Sequence, residues 1–322
     1  MNKLNSKMKN YTSISDIDDL EGIIREARSL KVLNPESRVG TGKTLGMLFF
    51  NPSLRTRLST EKAAKLLGME VMVMNVGTDG WALEFEDGAV MNSDKAEHIK
   101  EAAAVLSQYC DIIAVRAFPG LKDKEKDEAE QVLNSFKKYA SVPIVNLESA
   151  TGHPLQALAD AITIQENNKV KRPKVVLSWA PHPKALPQSV ANSFVEMMQR
   201  LEVDFVITNP EGYDLAPHLR NQVKVEHDQE KAFLDADFVY VKNWSSYENY
   251  GQVLNVQKNW TVDQAKLKNS NNAKVMHCLP VRRNVVIADD LLDSENSIVI
   301  QQANNRTFAA QVVLKRILEC NN

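Results

Sequence analysis

A series of short, continuous apolar runs alternating with helical patterns sets the strongest limit on what this chain can fold into. In order they are "TLGMLFF", "EVMVMNV", "CDIIAVRAF", "VPIVNL", "PKVVLSW", "VDFVIT", "DFVYVKNW", "KVMHCLP" and "SIVIQQA". A strand with one wet face alternates apolar and polar residues, whereas a strand of a parallel sheet covered by helices on both faces reads as an unbroken apolar run. The pattern therefore predicts an α/β protein of doubly wound parallel sheets. With 322 residues, and domains of roughly 100 to 200 residues each, two lobes with a cleft between them are expected. "NLESATGHPLQALADA" passes from strand through loop to helix and places the lobe boundary near Ala150, giving lobes 1–150 and 151–305. A final helix over residues 306–318, within the terminal segment 306–322, is expected to return to the first lobe. The run "KDKEKDEAEQ" reads as a solvated helix face.

Lys plus Arg is 39 against 41 for Asp plus Glu, so the chain lacks the basic excess of a nucleic-acid binder. No apolar stretch approaches the roughly 20 residues of a membrane span, and "MNKLNSKMKNYTS" lacks a signal-peptide core. A cytoplasmic protein is expected. Cys110, Cys278 and Cys320 are too widely spaced for a disulfide framework or a zinc site, and no metal or cofactor is expected.

"GTGKT" imitates the end of a nucleotide-binding loop, but the required upstream glycine is Ser37 and the strand follows instead of preceding. The stretch "FFNPSLRTRLSTEKAAKLLG" has the order that segment lacks: strand, loop, helix, with Ser53 as N-cap and a stop at Gly68. First-turn N–H groups, the positive dipole end, the hydroxyls of Ser53 and Thr56 and the fork of Arg55 suit a phosphate. The plainer reading is a capped helix with Arg55 and Arg57 in water. Arg116 closes a strand at the end where open α/β sheets bind ligands, or serves an ion pair. His153 and Gln156 lie three apart at a helix start, and Cys278 in "HCLP" reads alone as a core thiol.

Taken together, "SLRT", "HPLQ" and "HCLP" in this order, with Arg306 before the last helix, resemble the transcarbamylase family over nearly the whole chain. The Asp-x-x-x-Ser-Met-Gly segment by which ornithine enzymes of that family grip a free α-amine is absent. "SWAPHPKALPQSVANS" and "DGWALEFEDGAVMNSDKAEH" instead resemble the branch acting on Nα-acylated ornithine. The acetyl type carries Glu where this chain has Ala96 and Lys where it has Val286. The succinyl type carries Pro and an apolar residue there, so Val286 fits it and Ala96 matches neither type. A carboxylate at position 96 would repel a succinyl terminus, and Ala leaves neutral space.

The resemblance implies carbamoyl transfer from carbamoyl phosphate to the δ-amine of N-succinyl-L-ornithine, in arginine biosynthesis. The alternatives are the N-acetyl substrate, unblocked ornithine, and a non-catalytic phosphometabolite-binding protein. It implies that Ser53, Leu54, Arg55, Thr56, Arg116 and a neighbouring subunit's copy of Trp81 hold the phosphate. His153, Thr56 and Arg116 would face the carbonyl oxygen, and Gln156 with the backbone carbonyls of Cys278 and Leu279 the carbamoyl NH2. Arg306 completes the pocket. Glu148, His182, Lys242, Leu279 and Arg282 match acceptor-contact positions. A homotrimer and a knotted second lobe are also implied.

Overall fold

The computed structural model describes residues 8–33, 38–256 and 258–321; Ser37 and the first seven residues lie outside them. The chain divides into two compact units. One comprises the chain up to Pro119, Glu125–Leu155 and Arg306–Asn322, the other Gly120–Lys124 and Gln156–Asn305.

The first unit is built on strands β1 (Thr44–Phe49), β2 (Glu70–Asn75), β5 (Ile112–Arg116) and β6 (Ile144–Glu148), all parallel, in the order β2-β1-β5-β6. Two further short strands, β3 (Leu83–Glu84) and β4 (Glu97–His98), pair beside it. β5 and β6 are buried throughout, including their polar members Arg116, Asn146 and Glu148. Gly46 in the middle of β1 allows close packing: a Cβ there would come within 2.6 Å of Cys110 Sγ. Burial pushes the Cys110 thiol above its ordinary pKa, which makes it an inert core group. The helix Arg55–Leu66 stops as expected at Gly68, whose φ of 80° lets Gly68 N–H donate to Lys65 O and Met69 N–H to Ala64 O. This is a Schellman closure.

The second unit carries a five-stranded parallel sheet, β7 (Lys174–Trp179), β8 (Asp204–Thr208), β9 (Lys224–Glu226), β10 (Phe238–Lys242) and β11 (Lys274–Met276), in the order β11-β10-β7-β8-β9. In each sheet the chain winds outward from one strand and then restarts on that strand's other side. The resulting switch points lie between β1 and β5 and between β7 and β10, and their carboxyl ends are where such sheets bind ligands.

Three expectations are corrected. "SIVIQQA" is not a strand: Ser297 makes a single bridge to Val275, and a helix runs over Val299–Asn321, longer than the 306–318 expected. After Val299 and Ile300 the polar residues outnumber the apolar ones, and residues 305–314 are all buried, as in a helix packed on every face rather than a strand with alternating faces. The charged run is not wholly a solvated face. Its helix ends at Glu128, and Glu130, at φ 50°, turns its carboxylate onto the Ser149–Thr151 loop. Finally, Ser53 is not the N-cap of the Arg55–Leu66 helix. Leu54 occupies that position, and no side chain caps the helix.

Candidate functional site

The missing cap is the first clue. The helix makes its first bond from Leu58 N–H to Leu54 O, so the preceding amides have no intrahelical acceptor. No acidic residue stands in the first turn, while Arg55 and Arg57 lie where the helix dipole is already positive. Such a local conflict points to function, and an anion at this mouth resolves it. Thr56 is buried, and its Oγ1 accepts a 2.5 Å bond from Arg306 Nη2, with Arg306 only 7% exposed. The late arginine and the opening motif, 250 residues apart in sequence, thus meet in the first unit.

Arg116 stands across the switch point. Its backbone pairs with Phe49 at the end of β1. Its guanidinium donates to Asn51 O at 3.1 Å, to Pro52 O, and to Glu148 Oε2 at 3.1 Å, and lies 4.2 Å from the Phe118 ring centroid. The Nε of Arg116 is buried without a hydrogen-bond partner among the described protein groups, a donor that an anion's oxygen would satisfy. Glu148 Oε2 is also 3.6 Å from His153 Nε2. One carboxylate therefore holds the arginine and faces the histidine. His153 itself is held by the loop before it: Ser149 N–H donates to Gly152 O, and Glu130 accepts from Ser149 Oγ, Thr151 N–H and Thr151 Oγ1 at 2.6 to 2.7 Å. Sequence reading missed the clamping by Glu130 because its partners lie about 20 positions away. It also missed Asn51, whose side chain accepts from Phe118 N–H, although an Asn-Pro directly after a strand is a turn signal.

Trp81 and Ala96 occupy another part of the first unit, around β3 and β4. Trp81 is 58% exposed and donates from Nε1 to Glu97 Oε2 at 2.8 Å, and Ala96, beside Glu97, is exposed.

In the second unit, Lys242 ends β10 opposite Trp179 of β7, the counterpart of Arg116 opposite Phe49. It is buried, with Nζ donating to Asn243 O. Beyond β7, His182 Nε2 accepts from Arg282 Nε at 3.1 Å. A guanidinium can only donate, so Nε2 carries no proton there and the neutral ring keeps it on Nδ1, which lies 2.9 Å from Lys184 O and 3.1 Å from Lys184 N. Burial first, then the cations Arg282, Lys242 and Lys184, hold the His182 pKa below its usual range. Arg283 is instead bound to Asp289 and Asp293. Leu279 has φ 59°, an uncommon left-handed conformation for a bulky residue and of the kind that clusters at binding sites. Its N–H donates to His277 Nδ1. Gln156 lies in the first turn of the helix Pro154–Asn167. Val286 N–H donates to Arg282 O at 2.9 Å, and its side chain packs in the apolar core. Among the described residues, no cluster of His, Cys, Asp or Glu is arranged for a metal ion, and no helix is long and apolar enough to cross a membrane.

Residues 9–166 match the "Aspartate/ornithine carbamoyltransferase, carbamoyl-P binding domain" and residues 187–317 the "Asp/Orn binding domain" of the same family. The chain belongs to the aspartate/ornithine carbamoyltransferase family. The first domain contains the uncapped helix, Arg116 and His153, and the second contains Lys242 and Arg282. N-succinylornithine carbamoyltransferase of Bacteroides thetaiotaomicron is 51% identical, covering 97% of this chain and 99% of that protein. N-acetylornithine carbamoyltransferase of Xanthomonas axonopodis pv. citri is 37% identical, covering 92% of each. A solved structure of a Glu-to-Ala mutant of N-acetyl-L-ornithine transcarbamylase, complexed with carbamyl phosphate and N-succinyl-L-norvaline, superposes with a TM-score of 0.90 at 36% identity. It covers 96% of this chain and 99% of that one.

Proposed function

We propose that this carbamoyltransferase moves the carbamoyl group of carbamoyl phosphate to the δ-amine of N-succinyl-L-ornithine, giving N-succinyl-L-citrulline and phosphate in arginine biosynthesis. The observation that carries the reading is the uncapped helix mouth at the β1/β5 switch point, where the buried Thr56–Arg306 pair gathers in a chain whose full-length relative at 51% identity uses the succinyl substrate.

The first unit serves as the donor domain. Ser53, Leu54 through its N–H, Arg55, Thr56 and Arg306 hold the phosphate dianion with Arg116, and Trp81 is supplied by a neighbouring protomer of a homotrimer. Arg116, Thr56 and His153 stabilise the charge that grows on the carbonyl oxygen. Gln156 and the carbonyls of Cys278 and Leu279 accept from the carbamoyl NH2. Lys242 and Arg282 take the two acceptor carboxylates, with His182, Glu148 and Leu279 as further contacts. The neutral δ-amine attacks the carbonyl carbon, the C–O bond to phosphate breaks, and the departing phosphate takes the amine's proton. An alkylammonium has a pKa of about 10.4, so desolvation beside cations must favour the neutral amine. Holding both reactants in attack geometry lowers the barrier by roughly 7 to 11 kcal/mol.

Ala96 gives the succinyl reading its specificity argument, because neutral space there accepts a terminal carboxylate that the acetyl type's glutamate would repel. The complex of a Glu-to-Ala acetyl-type enzyme with N-succinyl-L-norvaline supports it. Val286, whose side chain is buried in apolar core, matches the apolar residue that the succinyl type carries there. The cytoplasm is the expected compartment, and a knotted second domain accompanies the acyl-ornithine branch. The test is product formation with N-succinyl-, N-acetyl- and unblocked ornithine: preference for the succinyl substrate supports the reading, and preference for either other substrate overturns it.

A further inference from the structure

Gln156 is assigned above to the carbamoyl NH2, yet an amide side chain can present either a donor or an acceptor end. Its choice is settled by a chain of buried groups within the second unit. His277 N–H donates to Gln302 Oε1 at 2.8 Å, and a backbone amide can only donate. That contact fixes the Gln302 amide, whose Nε2 donates to Asp160 Oδ1 at 2.7 Å. The same Oδ1 receives Gln156 Nε2, also at 2.7 Å. Asp160 and Gln302 are wholly buried, and Gln156 is 1% exposed. Tyr240, packed in the same buried region, keeps its hydroxyl proton: burial first, then Asp160 and Cys278, raise its pKa well above the ordinary value.

We infer that Asp160, anchored through Gln302 to the backbone of His277, is a positioning residue that turns the acceptor end of the Gln156 amide toward the carbamoyl NH2. This rests on the proposed reaction. With the amide reversed, an NH2 would face an NH2, and two donors cannot pair. The same chain ties the Gln156 amide to the strand end that leads into Cys278 and Leu279, so both sets of carbamoyl acceptors share one anchor.

The test is a polarity swap at constant shape. In Gln156→Glu the side chain has no N–H to give Asp160 and sets a carboxylate against a carboxylate. Asp160→Asn offers a donor and an acceptor in place of the shared Oδ1: a turn about its Cβ–Cγ bond lets its amide N–H reach the glutamate while its carbonyl oxygen keeps Gln302 Nε2, leaving one glutamate oxygen as acceptor for the carbamoyl group. Expected values of kcat/KM for carbamoyl phosphate are a loss of about 100-fold for Gln156→Glu, a loss within about threefold for Asp160→Asn, and recovery of at least about tenfold in the double variant relative to Gln156→Glu. The KM for the ornithine substrate should change little across the set. A double variant no better than Gln156→Glu alone overturns the inference, as does a loss confined to the ornithine KM. Wild-type turnover separates the two levels: a wild type that transfers no carbamoyl group sinks the proposed function, whereas an active wild type without the rescue sinks only the role of Asp160.

Discussion

Replacing Glu148 by Gln keeps the side chain's shape and one acceptor but removes the charge that faces Arg116. The two side chains are 8% and 10% exposed at 3.1 Å, and at an effective dielectric of about 20 a unit pair at that distance attracts by about 5 kcal/mol. Desolvation offsets part of this, and breaking a buried pair by removing one partner costs about 3 to 5 kcal/mol. The retained Gln oxygen places Glu148→Gln at the lower end, about 3 kcal/mol. For a unit of this size, roughly 2 to 4 °C per kcal/mol gives a fall in Tm of about 6 to 12 °C. Inorganic phosphate should reverse much of it, because a dianion beside Arg116 supplies the missing charge; binding at 100 times Kd contributes about 2.7 kcal/mol. Calorimetric scans of both proteins with and without phosphate make the test. If the variant melts within about 2 °C of wild type, or its deficit does not shrink as phosphate is added, Glu148 does not hold Arg116 for an anion.

Other expectations concern the remaining groups. Arg55→Ala should lower kcat/KM for carbamoyl phosphate by roughly 10- to 100-fold through both affinity and rate, since a charge-assisted bond is lost before and during transfer; near-normal steady-state kinetics would contradict the phosphate seat. Ala96→Glu should reduce succinylornithine turnover at least about tenfold and raise the acetyl-to-succinyl ratio, whereas an unchanged ratio means that position 96 does not meet the acyl group. Lys242→Met should raise the ornithine-substrate KM about tenfold or more with carbamoyl phosphate KM unaltered, checked by titrating each substrate at saturating partner. His182, held below its usual 6.5, stays neutral in the folded protein while the unfolded chain takes up a proton. Stability should therefore be flat above about pH 6.5 and fall as pH drops from there toward the lower folded value. His182→Gln should abolish that component in melting curves between pH 5 and 8.

The buried strands were legible because parallel-sheet cores demand continuous apolar runs, and β1, β5, β7 and β10 all follow theirs. β9 escaped notice because only Val225 in Lys224–Glu226 is apolar; it is an edge strand. "SIVIQQA" misled because its β-branched opening outweighed the polar residues that follow. In the candidate site, Arg55, Thr56, Arg116 and His153 were readable from motif order. The bond of Glu148 to Arg116, and of Arg306 to Thr56, depends on strand register and on the pairing of residues far apart in sequence, which local pattern does not encode. Ser53 looked like a cap by residue type alone. The backbone instead starts the helix one residue later, which leaves the amide mouth open.

The two sheets are wound to the same plan, and each sets a cation on the fifth residue of the strand that reopens the winding: Arg116 on β5, Lys242 on β10. A shared blueprint of this kind separates what must stay from what can drift. In the proposed assignment, changes around Lys242, His182 and Arg282, together with position 96 of the first unit, alter the choice of amine while the chemistry of the activated carbonyl remains as it was, so such enzymes can acquire new clients without rebuilding the phosphate seat.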